Sequence, residues 1–214
     1  LTANYPVVGE HVDEEKLAGF LEITFSRISE LGGSVVVFGS PVARNIPDSF
    51  PAEKARAQVE SFLQMCAEHA ENYGITVVIE PITPKNTNHI HTIAEAVDIA
   101  QAVNSSNIKV LADLFHMSGS GDSVEEVRKA GELLRHVHLP IPDIEGLNEP
   151  RAITDKLAGY PVAEFLGELR TVGYEERISI EDLDRKFMNL EREAPIVLQR
   201  VRELAEREPK APAG

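Results

Sequence analysis

The chain has a single cysteine, Cys66, in 214 residues. It cannot form an internal disulfide, which fits a reducing compartment and an expected cytoplasmic location. No apolar run approaches the roughly 18 residues that a membrane-spanning helix needs. The first residues, LTANYPVVGEHVDEEK, lack a basic stretch leading into an apolar core, so no signal peptide is expected there. Basic residues are outnumbered: 21 Lys and Arg stand against 35 Asp and Glu, a formal charge of −14. That balance opposes a phosphate backbone and argues against a nucleic-acid partner. A phosphate-cradling glycine loop is missing too, because SGSGDS (118–123) follows a histidine rather than opening such a loop.

What is present is an alternation. SVVVFGS (34–40), ITVVIEP (75–81), IKVLADL (108–114), LRHVHLP (134–140) and RISIEDL (177–183) are short, β-branched and bounded by turn residues, as strands are. LTANYPVV at the start is a weaker sixth candidate. Between them lie amphipathic stretches: 13–31, 52–73, 92–103, 123–133, 161–172 and 186–207. In 52–73 the apolar Ala55, Val59, Phe62, Leu63, Cys66, Ala67 and Ala70 recur at helical steps, which makes Cys66 a core residue. Strands alternating with helices, each strand nearly continuously apolar, imply a parallel sheet covered by helices. Gly74 and Gly173 stand where helix C-caps are expected.

Four of these strands end in a residue able to bind a metal: Glu80, Asp113, His138 and Glu181. They follow one another at intervals of 33, 25 and 43 residues, about one strand–helix unit each. Successive parallel strands bring their C-terminal ends to one rim, so the four side chains can converge although they are far apart in sequence. A lone buried carboxylate costs several kcal/mol, so Asp113, after the apolar VLA, needs a cation, either an arginine or a metal. In HVH, residues two apart share a face; His138 lies nearer the rim, and His136 one layer deeper, hydrogen-bonded to a neighbour. HIH (89–91) follows a proline-containing loop and is a poorer ligand pair.

Three carboxylates and one imidazole suit an oxygen-preferring divalent ion such as Mn²⁺, Co²⁺ or Mg²⁺, with Zn²⁺ also admissible. Such an ion can act as a Lewis acid when a C–H beside a sugar carbonyl loses its proton, giving an enediolate. Glu80 and Glu181, on the first and last of the four strands, can flank that carbon as acid and base.

Together VVIEP, DLFHM, HVH and GYEERISIED resemble the sugar isomerase/epimerase group with the xylose-isomerase-like TIM barrel. The resemblance runs from VVVFGSPVARN to ISIED. It implies that Glu80, Asp113, His138 and Glu181 are metal ligands, that Glu80 and Glu181 double as the acid/base pair, and that His116 touches substrate oxygens. Two segments depart from the pattern of the ketose 3-epimerases in that group. EPITPKN stands where Glu-Pro is usually followed by Asn-Arg, and HLPIPDIEGLNEPR where the metal histidine is followed by Gly-Glu and an arginine. Arg151 is the candidate to replace that arginine. Arg44, in GSPVARN after a strand, either meets an anionic group of the substrate or pairs at the surface.

These features set the expectations. The fold is an α/β, TIM (β/α)₈-type barrel, one domain over 1–207 with a disordered tail at 208–214. Counting back from Glu80 as strand five, SVVVFGS is strand four and LTANYPVV at best the end of strand three. Strands one and two have no counterpart, so about six of eight units are expected, with open edges that invite a homo-oligomer; a first residue of Leu1 rather than methionine agrees with that count. The expected activity is metal-dependent isomerisation or epimerisation of a small sugar, ketose or polyol, free or phosphorylated. A lyase dehydrating a polyol or hydroxy acid would use the same proton abstraction. An abasic-site endonuclease would need more ligands and a basic groove, and a degenerate barrel would keep the metal without turnover.

Overall fold

The computed structural model describes residues 1, 5–140, 160–181 and 190–206. In chain order the elements are α1 (Glu14–Glu30), β1 (Val35–Phe38), α2 (Pro41–Arg44), α3 (Ala52–Tyr73), β2 (Thr76–Ile79), α4 (Ile93–Val103), β3 (Ile108–Asp113), α5 (Leu114–Ser120), α6 (Val127–Ala130), β4 (Leu134–Pro140), α7 (Val162–Thr171), β5 (Ile178–Glu181) and α8 (Leu190–Glu206). Single 3₁₀ turns flank α6 at 124–126 and 131–133. The five strands form one parallel sheet in sequential order, a curled sector of a barrel. Among the described residues, no helix is long and apolar enough to cross a membrane.

The periodicities of the sequence explain the layers. Ala55, Val59, Phe62, Leu63, Cys66, Ala67 and Ala70 line the buried face of α3, and Leu17, Leu21 and Phe25 that of α1. They pack with Val36, Phe38, Val77 and Ile79 on the helix-covered side of the sheet. The Phe38 and Phe62 rings meet at a tilt, 5.3 Å apart, across that layer. The alternate positions point the other way. Strand register aligns Val37 with Val78, Leu111 with His136, Asp113 with His138, and His138 with Ser179. One face of the strands therefore carries Glu80, Asp113, His138 and Glu181 close to the C-terminal ends.

Five strands are described where six are expected. Residues 2–4 of the sixth candidate lie outside the described residues, and Tyr5–Val8 is not a strand. Pro6 brings no N–H to a ladder, and the Val7 N–H donates to the Ala43 carbonyl (2.8 Å). The Leu1 amino group lies on the edge of β1 away from β2, donating to the Val37 carbonyl (2.9 Å). The stretch 123–133 is not one helix, because Gly131, at φ 48°, interrupts it. Residues 182–183, 186–189 and the tail at 208–214 also lie outside the described residues.

Helix α4 is held at its start by a reciprocal pair: Thr92 Oγ1 accepts from the Glu95 N–H, and Glu95 Oε2 accepts from the Thr92 N–H (both 3.2 Å). Asp122 Oδ2 takes a third free donor there, the Ile93 N–H (2.9 Å). Thr92→Ala is expected to cost about 1 kcal/mol, the usual worth of an N-cap hydroxyl. A lowered urea midpoint with an unchanged slope would be the readout; an unchanged midpoint would mean that Glu95 and Asp122 suffice to hold the helix end.

Candidate metal centre

Glu80, Asp113, His138 and Glu181 each offer a ligand atom, and these atoms all lie within 4.8 Å of one another. A single ion with bonds of about 2.0–2.6 Å can span that separation. His138 is the hub. Its Nδ1 is 2.9 Å from Glu80 Oε1, 3.4 Å from Glu181 Oε2 and 3.5 Å from Asp113 Oδ2. Burial by itself would lower the imidazole pKa, but Asp113, Glu181 and Glu80 hold the proton and push it up to about 11. One N–H cannot satisfy three carboxylates, and Glu181 Oε2 is buried with no hydrogen-bond partner. Burial pushes the Asp113 carboxyl above its ordinary range, whereas His138 holds the Glu181 carboxyl below it.

Local structure seats each ligand. Asp113 divides its oxygens: Oδ1 caps α5 by accepting the His116 N–H (2.9 Å), and Oδ2 faces His138. Glu80 follows β2, with its N–H on the Phe38 carbonyl (3.2 Å). Its carboxylate lies on Gly39, where a Cβ would stand 1.8 Å from Glu80 Oε2. That seat was not read from the sequence; its only trace is a glycine one residue past β1, which many turns share. His136 Nε2 meets Ser179 Oγ at 2.9 Å one layer below, with its ring 5.2 Å edge-on from that of His138.

His116 is buried beside the cluster. Burial lowers its pKa, and Nδ1 accepts the Thr83 N–H (3.4 Å), which places the proton of the neutral ring on Nε2. Thr83 in turn donates its hydroxyl to the Gly119 carbonyl (3.2 Å), and a Cβ on Gly119 would stand 2.8 Å from that hydroxyl. Phe115 packs edge-on against His116 at 5.1 Å and, tilted, against Tyr160 at 6.1 Å. Thr83, Phe115 and Tyr160 are neighbours that spacing alone does not reveal. His91 Nδ1 meets the Ile82 carbonyl (3.0 Å); neither it nor His89 joins the four-residue cluster. Arg151 lies outside the described residues.

Arg44 does not pair at the surface, being 0% exposed. Its Nη2 donates to the Glu80 carbonyl (2.7 Å) and its Nη1 to the Phe38 carbonyl (3.4 Å). The short α2, with Pro41 in its first turn, turns the chain back under the rim and delivers the side chain there.

The family model described as xylose isomerase-like TIM barrel matches residues 9–204. The chain belongs to that family. A D-psicose 3-epimerase of Agrobacterium fabrum is 32% identical over 125 residues, covering 56% of this chain and 42% of the relative. In structure, the D-psicose 3-epimerase of Clostridium cellulolyticum with D-tagatose superposes at a TM-score of 0.77 and 19% identity, over 97% of this chain and 76% of that one. The IOLI protein with a bound zinc atom superposes at 0.67 and 18% identity, over 97% of this chain and 77% of that one. The chain spans about half the length of the curated relatives it matches.

In this xylose isomerase-like barrel the donor set itself fits a divalent ion. Three carboxylates crowd one imidazole nitrogen, one of their oxygens is buried without a hydrogen bond, and a glycine clears the floor beneath Glu80. Gly39→Ala would force the Glu80 carboxylate off that floor. The expected result is Mn²⁺ binding weakened by roughly tenfold or more, the usual effect of disturbing a ligand's support. Titration calorimetry with the metal alone reads it; wild-type affinity in the folded variant would show that Glu80 needs no such seat.

Proposed function

We propose that the site serves metal-dependent isomerisation or epimerisation of a small sugar, ketose or polyol. The observation that carries this reading is the convergence of Glu80, Asp113, His138 and Glu181, with two glutamates from separate strands in one cluster. Kinship with D-psicose 3-epimerases supports the substrate class. The four side chains would hold a divalent ion of the Mn²⁺, Co²⁺ or Mg²⁺ kind. Zn²⁺ is admissible as well, given the imidazole ligand and the zinc atom bound by the IOLI protein.

When bound, that ion supplies a positive charge that favours ionisation of a C–H beside a carbonyl. The chain's own residues do the rest. Glu80 and Glu181 would face the reacting carbon from two sides, one carboxylate oxygen taking the proton and the other returning one. Return to the same carbon from the opposite face inverts it, which is epimerisation; return to the neighbouring carbon is isomerisation. His116 would offer Nε2–H to a substrate oxygen, its tautomer set by the Thr83 N–H. Arg151 would be a further substrate contact.

The decisive measurement is exchange of substrate carbon-bound protons with deuterated water, across a panel of ketoses and polyols with Mn²⁺ present. Exchange with recovery of an epimer or isomer is the expected result. Exchange with net loss of water would make the activity that of a lyase, and no exchange with any of the panel would sink the reading. Glu80→Gln and Glu181→Gln should each lower turnover by about two to four orders of magnitude at saturating metal. Normal turnover in both would remove the acid/base assignment.

A further inference from the structure

Among the described residues, Arg44 is the one buried lysine or arginine and the largest fully buried side chain. A side chain needed only to fill that volume could be apolar. A buried guanidinium carries a desolvation penalty, and here its Nε has no hydrogen-bond partner. Burial lowers its pKa to about 10, with the Glu80 charge opposing the shift, so it is a cation at neutral pH. Something must offset that cost.

The contacts indicate what. β1 supplies none of the four candidate ligands, yet it runs beside the strand that supplies Glu80. The fork of Arg44 reaches across the two strand ends, with Nη2 on the Glu80 carbonyl and Nη1 on the Phe38 carbonyl. Phe38 also accepts the Glu80 N–H, and the guanidinium carbon lies 5.6 Å from the Phe38 ring centre. The origin of the fork is itself tied down. The Ala43 carbonyl accepts from Val7, and Asn45 Oδ1 accepts from the Thr87 hydroxyl (2.8 Å) and the Asn88 N–H (3.2 Å). Both main-chain groups of Glu80, and the glycine under its carboxylate, are thus referenced to β1. Three carboxylates around a divalent ion also leave one negative charge over, and Arg44 is a buried cation beside them.

We propose that Arg44 is a positioning residue of the metal centre, its fork locking the ends of β1 and β2 so that Glu80 presents its carboxylate to the ion. This rests on the metal reading above. Lysine keeps the charge but has no planar fork with two donors, so Arg44→Lys isolates the geometry. Mn²⁺ alone is titrated into wild type and variant by calorimetry, with thermal unfolding recorded in parallel. Folded Arg44→Lys is expected to bind Mn²⁺ at least tenfold more weakly than wild type. Equal affinity in the folded variant, whatever its melting temperature, would make Arg44 a stabilising residue only and overturn the proposal. No Mn²⁺ binding by wild type would instead overturn the metal reading, and this proposal with it. If Arg44→Lys does not fold, nitrogen-15 NMR of the wild-type guanidinium decides. Resolved, slowly exchanging Arg44 Nη signals that shift on addition of Zn²⁺ are expected; averaged signals indifferent to Zn²⁺ overturn it.

Discussion

Three carboxylates brought to one point repel one another, and this constraint governs the rim of the barrel. At a separation of 4 Å and an effective dielectric of 20, each pair of unit charges opposes the arrangement by about 4 kcal/mol. His138 offsets part of this as an imidazolium, but a single N–H is directional and serves one acceptor well. A divalent ion attracts all three at once and needs no particular hydrogen-bond angle. The cluster is therefore better matched to a cation than to its own proton.

Parallel topology creates the problem and solves it. Because the strands run in order and in one direction, their C-terminal ends meet on the same side. The helices cover the opposite face with the apolar half of each strand. Asp113 and Glu181 close their strands, Glu80 lies one residue past β2, and His138 stands two residues before the end of β4, so all four sit near the same rim of the sheet. Asp113 illustrates the economy of the position: one oxygen starts a helix while the other faces the cluster.

The loops beyond the rim are tied to one another before any ligand arrives. Asn45 accepts from Thr87 and Asn88, and Asn88 bonds Ile46 through both its amide oxygen (2.8 Å) and its amide nitrogen (2.9 Å). Thr83 joins the loop after β2 to α5. A site assembled this way loses little conformational freedom when it binds, which favours a geometry set in advance.

The sequence by itself determined the parallel α/β architecture and the four charged strand ends, because both are local. An apolar run of a few residues followed by a helical period reads the same wherever it lies, and a carboxylate closing such a run is visible without knowing its neighbours. The short α2 and α5 were not legible, since four and seven residues show too little period. Nor was the break of 123–133 at Gly131, or the failure of Tyr5–Val8 to join the sheet. Only the tertiary structure decided that Gly39 lies under Glu80, that Arg44 is enclosed instead of exposed, and that Thr83 sets the tautomer of His116. Each of these depends on a distance between residues 33 to 41 positions apart. Such distances follow from strand register and the path of the loops, which periodicity along the chain does not encode.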